Sequence, residues 1–194
     1  MRSNGLCQVK LKNAACGDAS GAIHLRTGIN SFIAGGGDAV VVDLDTAVYQ
    51  HGLEGRTISV PAVCLDDDLQ PEGPISLIKI DAEGFEYQIL EGAGRIVEAF
   101  APLLFIELHP QQIEAYGHSI AEVCDLLRPH YDMEFWDYGR FERLRNPAAR
   151  IFGRYFHRGY RFPNEAAMLE AAHGPSKPSQ LFLLGHPKHL SVRE

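Results

Sequence analysis

The chain has 194 residues, 45% apolar and 22% charged, which is enough to bury a core and excludes a disordered or low-complexity protein. No apolar run approaches the roughly 18 residues of a membrane span, and Met1-Arg2-Ser3-Asn4-Gly5-Leu6 has no secretory h-region, so a cytoplasmic protein is expected. The net charge of −7 is uneven: residues 138–162 carry seven arginines and one acid, a +6 island on a −13 body. Such an island suits an anionic partner or acceptor.

Residues 7–16 alternate apolar and polar and predict a strand, with Ala22–Arg26 as its hairpin partner across the turn at Gly17–Gly21. Residues 28–38 are glycine-rich and irregular. Ala39–Leu44 is a short apolar run of undecided type. Thr57–Leu65 reads as a strand that Pro61 pushes to a sheet edge. Asp66-Asp67-Asp68 opens a turn or short helix before the strand Ile75–Ile80.

Residues 83–100 predict one helix, with Phe85, Ile89, Ala93, Ile96, Val97 and Phe100 on its buried face. Gly92 and Gly94 weaken it and are read as sites of close packing. The strand Leu103–Leu108 follows, ended by His109-Pro110. Ser119-Ile120-Ala121-Glu122 is a capping box opening a helix that buries Ile120, Val123, Cys124 and Leu127. Asp132–Tyr138 is a strand, Glu165–Ala172 a short helix, and Ser179–Leu184 a last strand. The alternation from residue 75 onward argues for an α/β fold with a doubly wound, mostly parallel sheet and an antiparallel edge strand. No repeat and no second domain show in the sequence.

The densest chemistry lies where Ile75–Ile80 stops at Asp81. Asp81, Glu83 and Glu86 crowd a strand-to-helix junction, the place where α/β enzymes bind their ligands. Asp81 either caps the following helix or orients a ligand. Glu83 would sit in the first helical turn, where the dipole favours an acid. Glu86, one turn on, would share its face, and their mild repulsion points to binding. Lys79 needs an acidic partner if buried. Glu107 and His109 end the next strand and should project beside Asp81. His109 is the residue type for a base that works near neutrality, and its alternative is an ordinary loop histidine.

The other histidines lack H-x-x-x-H and H-E-x-x-H spacing, so no metal site is expected. There is no G-x-S-x-G, which argues against a hydrolase. Cys7, Cys16, Cys64 and Cys124 lack C-x-x-C spacing and read as reduced thiols. The arginine-aromatic stretch after Tyr138 reads as a solvated surface segment or as a contact for an anionic acceptor. The acidic body argues against long nucleic acids.

These motifs carry a resemblance. Lys79-Ile80-Asp81-Ala82-Glu83-Gly84-Phe85-Glu86, Leu90-Glu91-Gly92-Ala93 and Ile106-Glu107-Leu108 resemble the FkbM-type methyltransferase family. Asn4-Gly5-Leu6, Ala14-Ala15-Cys16-Gly17-Asp18 and Cys64-Leu65-Asp66-Asp67 extend the likeness upstream. Residues 138–172, a basic aromatic insertion, are the least comparable.

The resemblance implies a class I, Rossmann-like methyltransferase sheet and methyl transfer from S-adenosylmethionine to a hydroxyl of a sugar or secondary metabolite. It implies Asp81, Glu83, Glu86, Glu107 and His109 on the acceptor side, and Ala15 with Asp81 on the cofactor side. It also implies that the family's first βαβα unit, with its glycine loop, precedes these residues, so the domain over 1–194 reads as N-terminally truncated. Gly35-Gly36-Gly37 precedes its apolar run, whereas a cofactor loop follows its strand. The chain alone is therefore expected to bind S-adenosylmethionine weakly or not at all. An open sheet edge would then call for cover by a partner chain or a second copy. A rival reading is a non-catalytic remnant or partner-binding module that keeps only the acceptor half.

Overall fold

A computed structural model describes residues 8–28, 39–42, 55–137, 159–174, 178 and 180–188. The proposed glycine loop at 35–37 and most of the arginine-rich stretch lie outside the described residues. Two mixed sheets carry the chain, an α/β arrangement. The first holds β1 (Ala15–Gly17), β2 (Gly21–Gly28), β3 (Ala39–Val42) and β4 (Gly55–Cys64) in the order β1-β4-β2-β3. The second holds β5 (Leu77–Ile80), β6 (Leu103–Leu108), β7 (Tyr131–Asp137), β8 (Tyr160–Arg161) and β9 (Leu181–Pro187) in the order β5-β6-β9-β7-β8.

The first sheet departs from the expected hairpin. β4 lies between β1 and β2, parallel to the former and antiparallel to the latter. Residues 8–14 form no strand: Val9 and Leu11 are exposed, so their alternation buries nothing. Pro61 sits in an interior strand, not an edge strand. It is tolerated because β1 pairs only with Ala62–Cys64, leaving that side of β4 without a partner strand at Pro61.

The second sheet is mostly antiparallel in its pairing, against the expected mostly parallel sheet. Only β5 and β6 pair in parallel. The cause is β9, which is antiparallel yet interior, pairing β6 on one side and β7 on the other. An interior place buries its Leu181 and Leu183, which an edge would leave half covered. β5, β6 and β7 still point the same way, so their carboxyl ends share one edge. The alternate residues Leu104, Ile106 and Leu108 of β6 form the centre of the core with Leu183, Val123, Leu127 and Met168. Truncating one such side chain to alanine removes about 2–5 kcal/mol.

Six helices complete the described residues: α1 (Leu65–Asp68), α2 (Glu86–Glu91), α3 (Gly94–Phe100), α4 (Pro110–Ala115), α5 (Ile120–Leu127) and α6 (Glu165–His173). The helix expected over 83–100 is two. It breaks at Gly92-Ala93, where a Cβ on Gly92 would lie 2.0 Å from the Gly17 carbonyl oxygen of β1. Gly92 therefore does serve close packing. Gly94 does not, since a Cβ there meets nothing within 4 Å. α3 has no cap of its own at Ala93. Asp66 supplies it from α1, accepting from Arg95 N at 2.8 Å and Ile96 N at 2.9 Å. The capping box of α5 forms as expected: Ser119 Oγ accepts from Glu122 N at 3.2 Å, and Ile120, Val123, Cys124 and Leu127 are all buried.

Candidate active site at the carboxyl ends of β5 and β6

Parallel pairing of β5 with β6 sets Ile80 opposite Ile106. The residues that follow each strand therefore emerge side by side. Asp81 ends one strand, and Glu107 and His109 end the other. Between Asp81 and α2 the backbone makes a tight reversal, with Glu83 at φ 49° and Gly84 at φ 102°. Glycine is required at position 84, where a Cβ would stand 2.3 Å from Gln112 Cβ of α4. Glu83 has no such freedom, and a non-glycine residue in the left-handed region costs about 1–2 kcal/mol. That strain is stored beside the carboxylates.

The reversal is held by Glu86. Its Oε1 accepts from Gly84 N at 3.1 Å and Ala82 N at 3.4 Å. The helix begins only at Glu86, so two expectations fall: Asp81 does not cap it, and Glu83 lies before its first turn. Asp81 instead pairs with Lys79, Nζ to Oδ2 at 2.8 Å, and that lysine is exposed rather than buried. Glu86 is fully buried. Its Oε1 lies 2.8 Å from His109 Nδ1, and its Oε2 has no hydrogen-bond partner among the described residues. His109 Nε2 faces Glu83 Oε2 at 3.6 Å.

These neighbours set the charge of the imidazole. Burial alone would lower the His109 pKa, but the hydrogen bond and charge of Glu86, with Glu83 and Glu107 behind it, raise it above the ordinary value. Burial also raises the Glu107 carboxyl, helped by the Asp81 charge.

Asp81, Glu83 and His109 converge, one ligand-type atom from each lying within 4.8 Å of the others. Glu86 backs His109, and Glu107 feels Asp81 and His109 electrostatically. Ala15 lies apart in β1, opposite Ala62. Phe85 and two residues with no sequence signal, Gln112 and Tyr116, support the turn. Gln112 packs on Gly84, Phe85 covers Gly17, and Tyr116 meets Phe85 edge-on while its hydroxyl donates to Val41 O at 2.7 Å. A cleft of about 400 Å³ elsewhere, bordered by Asp66, Arg95, Glu98 and His130, touches none of Asp81, Glu83, Glu86, Glu107 and His109.

A family model for the methyltransferase FkbM domain matches residues 2–139, more than two thirds of the chain. The chain belongs to the FkbM methyltransferase domain family. No curated protein and no solved structure matches it. No helix among the described residues is long and apolar enough to cross a membrane.

Methyltransferases of such families take their methyl group from S-adenosylmethionine. A cofactor cradle needs glycines whose missing side chains leave room for the ligand. The three closely packed glycines near the site, Gly17, Gly84 and Gly92, are each filled by protein: the Phe85 ring, the Gln112 side chain and the Gly17 backbone. None of these three positions leaves a cradle for the cofactor.

Proposed function

We propose that this protein serves methyl transfer from S-adenosylmethionine to a hydroxyl, of a sugar or a secondary metabolite, with the β5–β6 edge as the acceptor side. S-adenosylmethionine, when bound, supplies the methyl group. The chain's own residues hold the acceptor and take its proton. Asp81 and Glu83 accept hydrogen bonds from acceptor hydroxyls. His109 takes the proton of the reacting hydroxyl at Nε2.

The single observation that supports this reading is the His109–Glu86 pair. A buried carboxylate on Nδ1 turns Nε2 outward as the acceptor nitrogen and stabilises the imidazolium that forms. Most of the rate in such a transfer comes from holding the reactants in line, and the base adds about 10²–10⁴-fold. The test is methyl transfer to a panel of sugar and secondary-metabolite hydroxyls by the wild type and by His109→Gln. A loss of about 10²-fold or more in the variant is expected. Undiminished transfer by His109→Gln, or no transfer to any hydroxyl by the wild type, overturns the reading.

A further inference from the structure

We infer that Asp81, Glu83 and His109 also form a binding site for a divalent transition-metal ion. Two segments distant in sequence deliver these side chains: the turn after β5, with Asp81 and the left-handed Glu83, and the end of β6, with His109. One ligand-type atom from each lies within 4.8 Å of the other two. Two carboxylates and one imidazole are a donor set for ions such as Zn²⁺ or Mn²⁺. Their side chains are 37%, 30% and 14% exposed, so an ion reaches them from solvent. Lys79 holds Oδ2 of Asp81 and, being exposed on a flexible stem, can yield it or leave Oδ1 to the ion.

The independent observation is Glu86, which is not one of the three. It is fully buried, grips Nδ1 of His109 at 2.8 Å, and leaves Oε2 without a partner among the described residues. A carboxylate on the far nitrogen of an imidazole is the arrangement that fixes the tautomer of metal-ligating histidines and raises their basicity. A bare buried carboxylate oxygen is costly unless positive charge lies near. An ion on Nε2 would place that charge one imidazole away from Glu86.

The inference rests on the acceptor reading in one respect. Nε2 is the atom that would take the hydroxyl proton, and a metal-bound Nε2 cannot. A bound ion therefore switches the base off.

The experiment uses the full chain, stripped with a chelator and dialysed. Calorimetric titration with Zn²⁺ and visible absorption with Co²⁺ read binding without any methyl transfer. One tight equivalent is expected. His109→Gln and Glu83→Gln should each weaken it at least about tenfold, and Glu86→Gln by about 10–100-fold although it touches no ion. Thermal melts confirm that each variant is folded, and the partly exposed Glu83 provides a variant that leaves the core intact. Absence of a tight equivalent, or binding unchanged in both His109→Gln and Glu83→Gln, overturns the site. Saturating Zn²⁺ should also depress methyl transfer, and a chelator should restore it. Binding accompanied by faster transfer would keep the ion site and overturn its exclusion of the base. Transfer that needs His109 in a protein that binds no ion would keep the base and overturn the site.

Discussion

Nδ1 of His109 lies 2.8 Å from Oε1 of Glu86, a carboxylate shut off from solvent at the base of the β5–β6 edge. The carboxylate does two things at once, since the same oxygen receives the backbone of Ala82 and Gly84. Glu86→Gln keeps an oxygen for both tasks and removes the charge. Methyl transfer should fall at least about tenfold, because the imidazolium loses its counter-charge. Nitrogen chemical shifts of labelled histidine in chelator-treated protein should show the Nδ1–H tautomer in the wild type and a mixture in the variant. Unchanged rate together with unchanged shifts would remove Glu86 from the site.

Two glycines that look alike in the sequence should respond oppositely to alanine. Gly92 carries an ordinary backbone, φ −76°, so its cost is purely steric: the new Cβ would sit 2.0 Å from a main-chain oxygen that cannot move aside alone. Gly92→Ala should destabilise by at least about 2 kcal/mol. Gly94, at the start of α3, has open space around it, and Gly94→Ala should stabilise by up to about 1 kcal/mol through helix propensity and a less disordered unfolded chain. Urea titration of both variants measures the pair, and equal shifts of one sign would contradict the packing.

The contrast marks what the sequence could show. Periodicity placed β6, β7, α5 and α6 nearly to the residue, because each buries one regular face: Leu104, Ile106 and Leu108 on β6, Ile120, Val123, Cys124 and Leu127 on α5. The junction at Asp81 was legible as a candidate site because carboxylates at a strand end are conspicuous, and parallel pairing of β5 with β6 brings Glu107 and His109 beside it. Its geometry was hidden. The left-handed turn at Glu83-Gly84 depends on Gln112, and the break before α3 depends on Gly17, both distant in the chain. The interior place of β9 was equally hidden, since a strand's pattern gives its faces but not its neighbours.

Asp66 looked like part of an acidic turn and is the cap of another helix. Its two carboxylate oxygens accept from Arg95 N and Ile96 N, donors that α3 cannot satisfy itself. Asp66→Ala should cost about 1 kcal/mol, within the 0.5–2 kcal/mol range of lost helix caps, and Asp66→Asn should recover most of it. Asp67, exposed and bound only to the exposed Arg95 side chain, should tolerate alanine with little change. Thermal unfolding of the three variants orders them. Equal losses for the alanine variants of Asp66 and Asp67 would show that surface charge, not capping, is what matters there.

Alkaline stability should be set by two buried groups beneath the second sheet. Burial pushes the Tyr131 phenol, whose hydroxyl donates to Pro102 O at 2.8 Å, from its ordinary value of 10 up to about 12. Burial and the Glu165 charge push the Cys124 thiol from 9 up to about 12. Both groups are neutral when protonated, and the unfolded chain releases each proton first. Their contribution is therefore fully present below pH 9 and drains away as the pH rises to about 12. A shift of two pH units in one group corresponds to about 2.7 kcal/mol. Tyr131→Phe should lower stability at neutral pH by about 1–3 kcal/mol, since Pro102 O loses its donor. Its stability curve should then flatten between pH 10 and 12. Cys124→Ala should flatten the curve from pH 9 upward instead. Denaturant unfolding at steps from pH 8 to 11.5 distinguishes them, and a slope that neither substitution changes would place the alkaline loss in other groups.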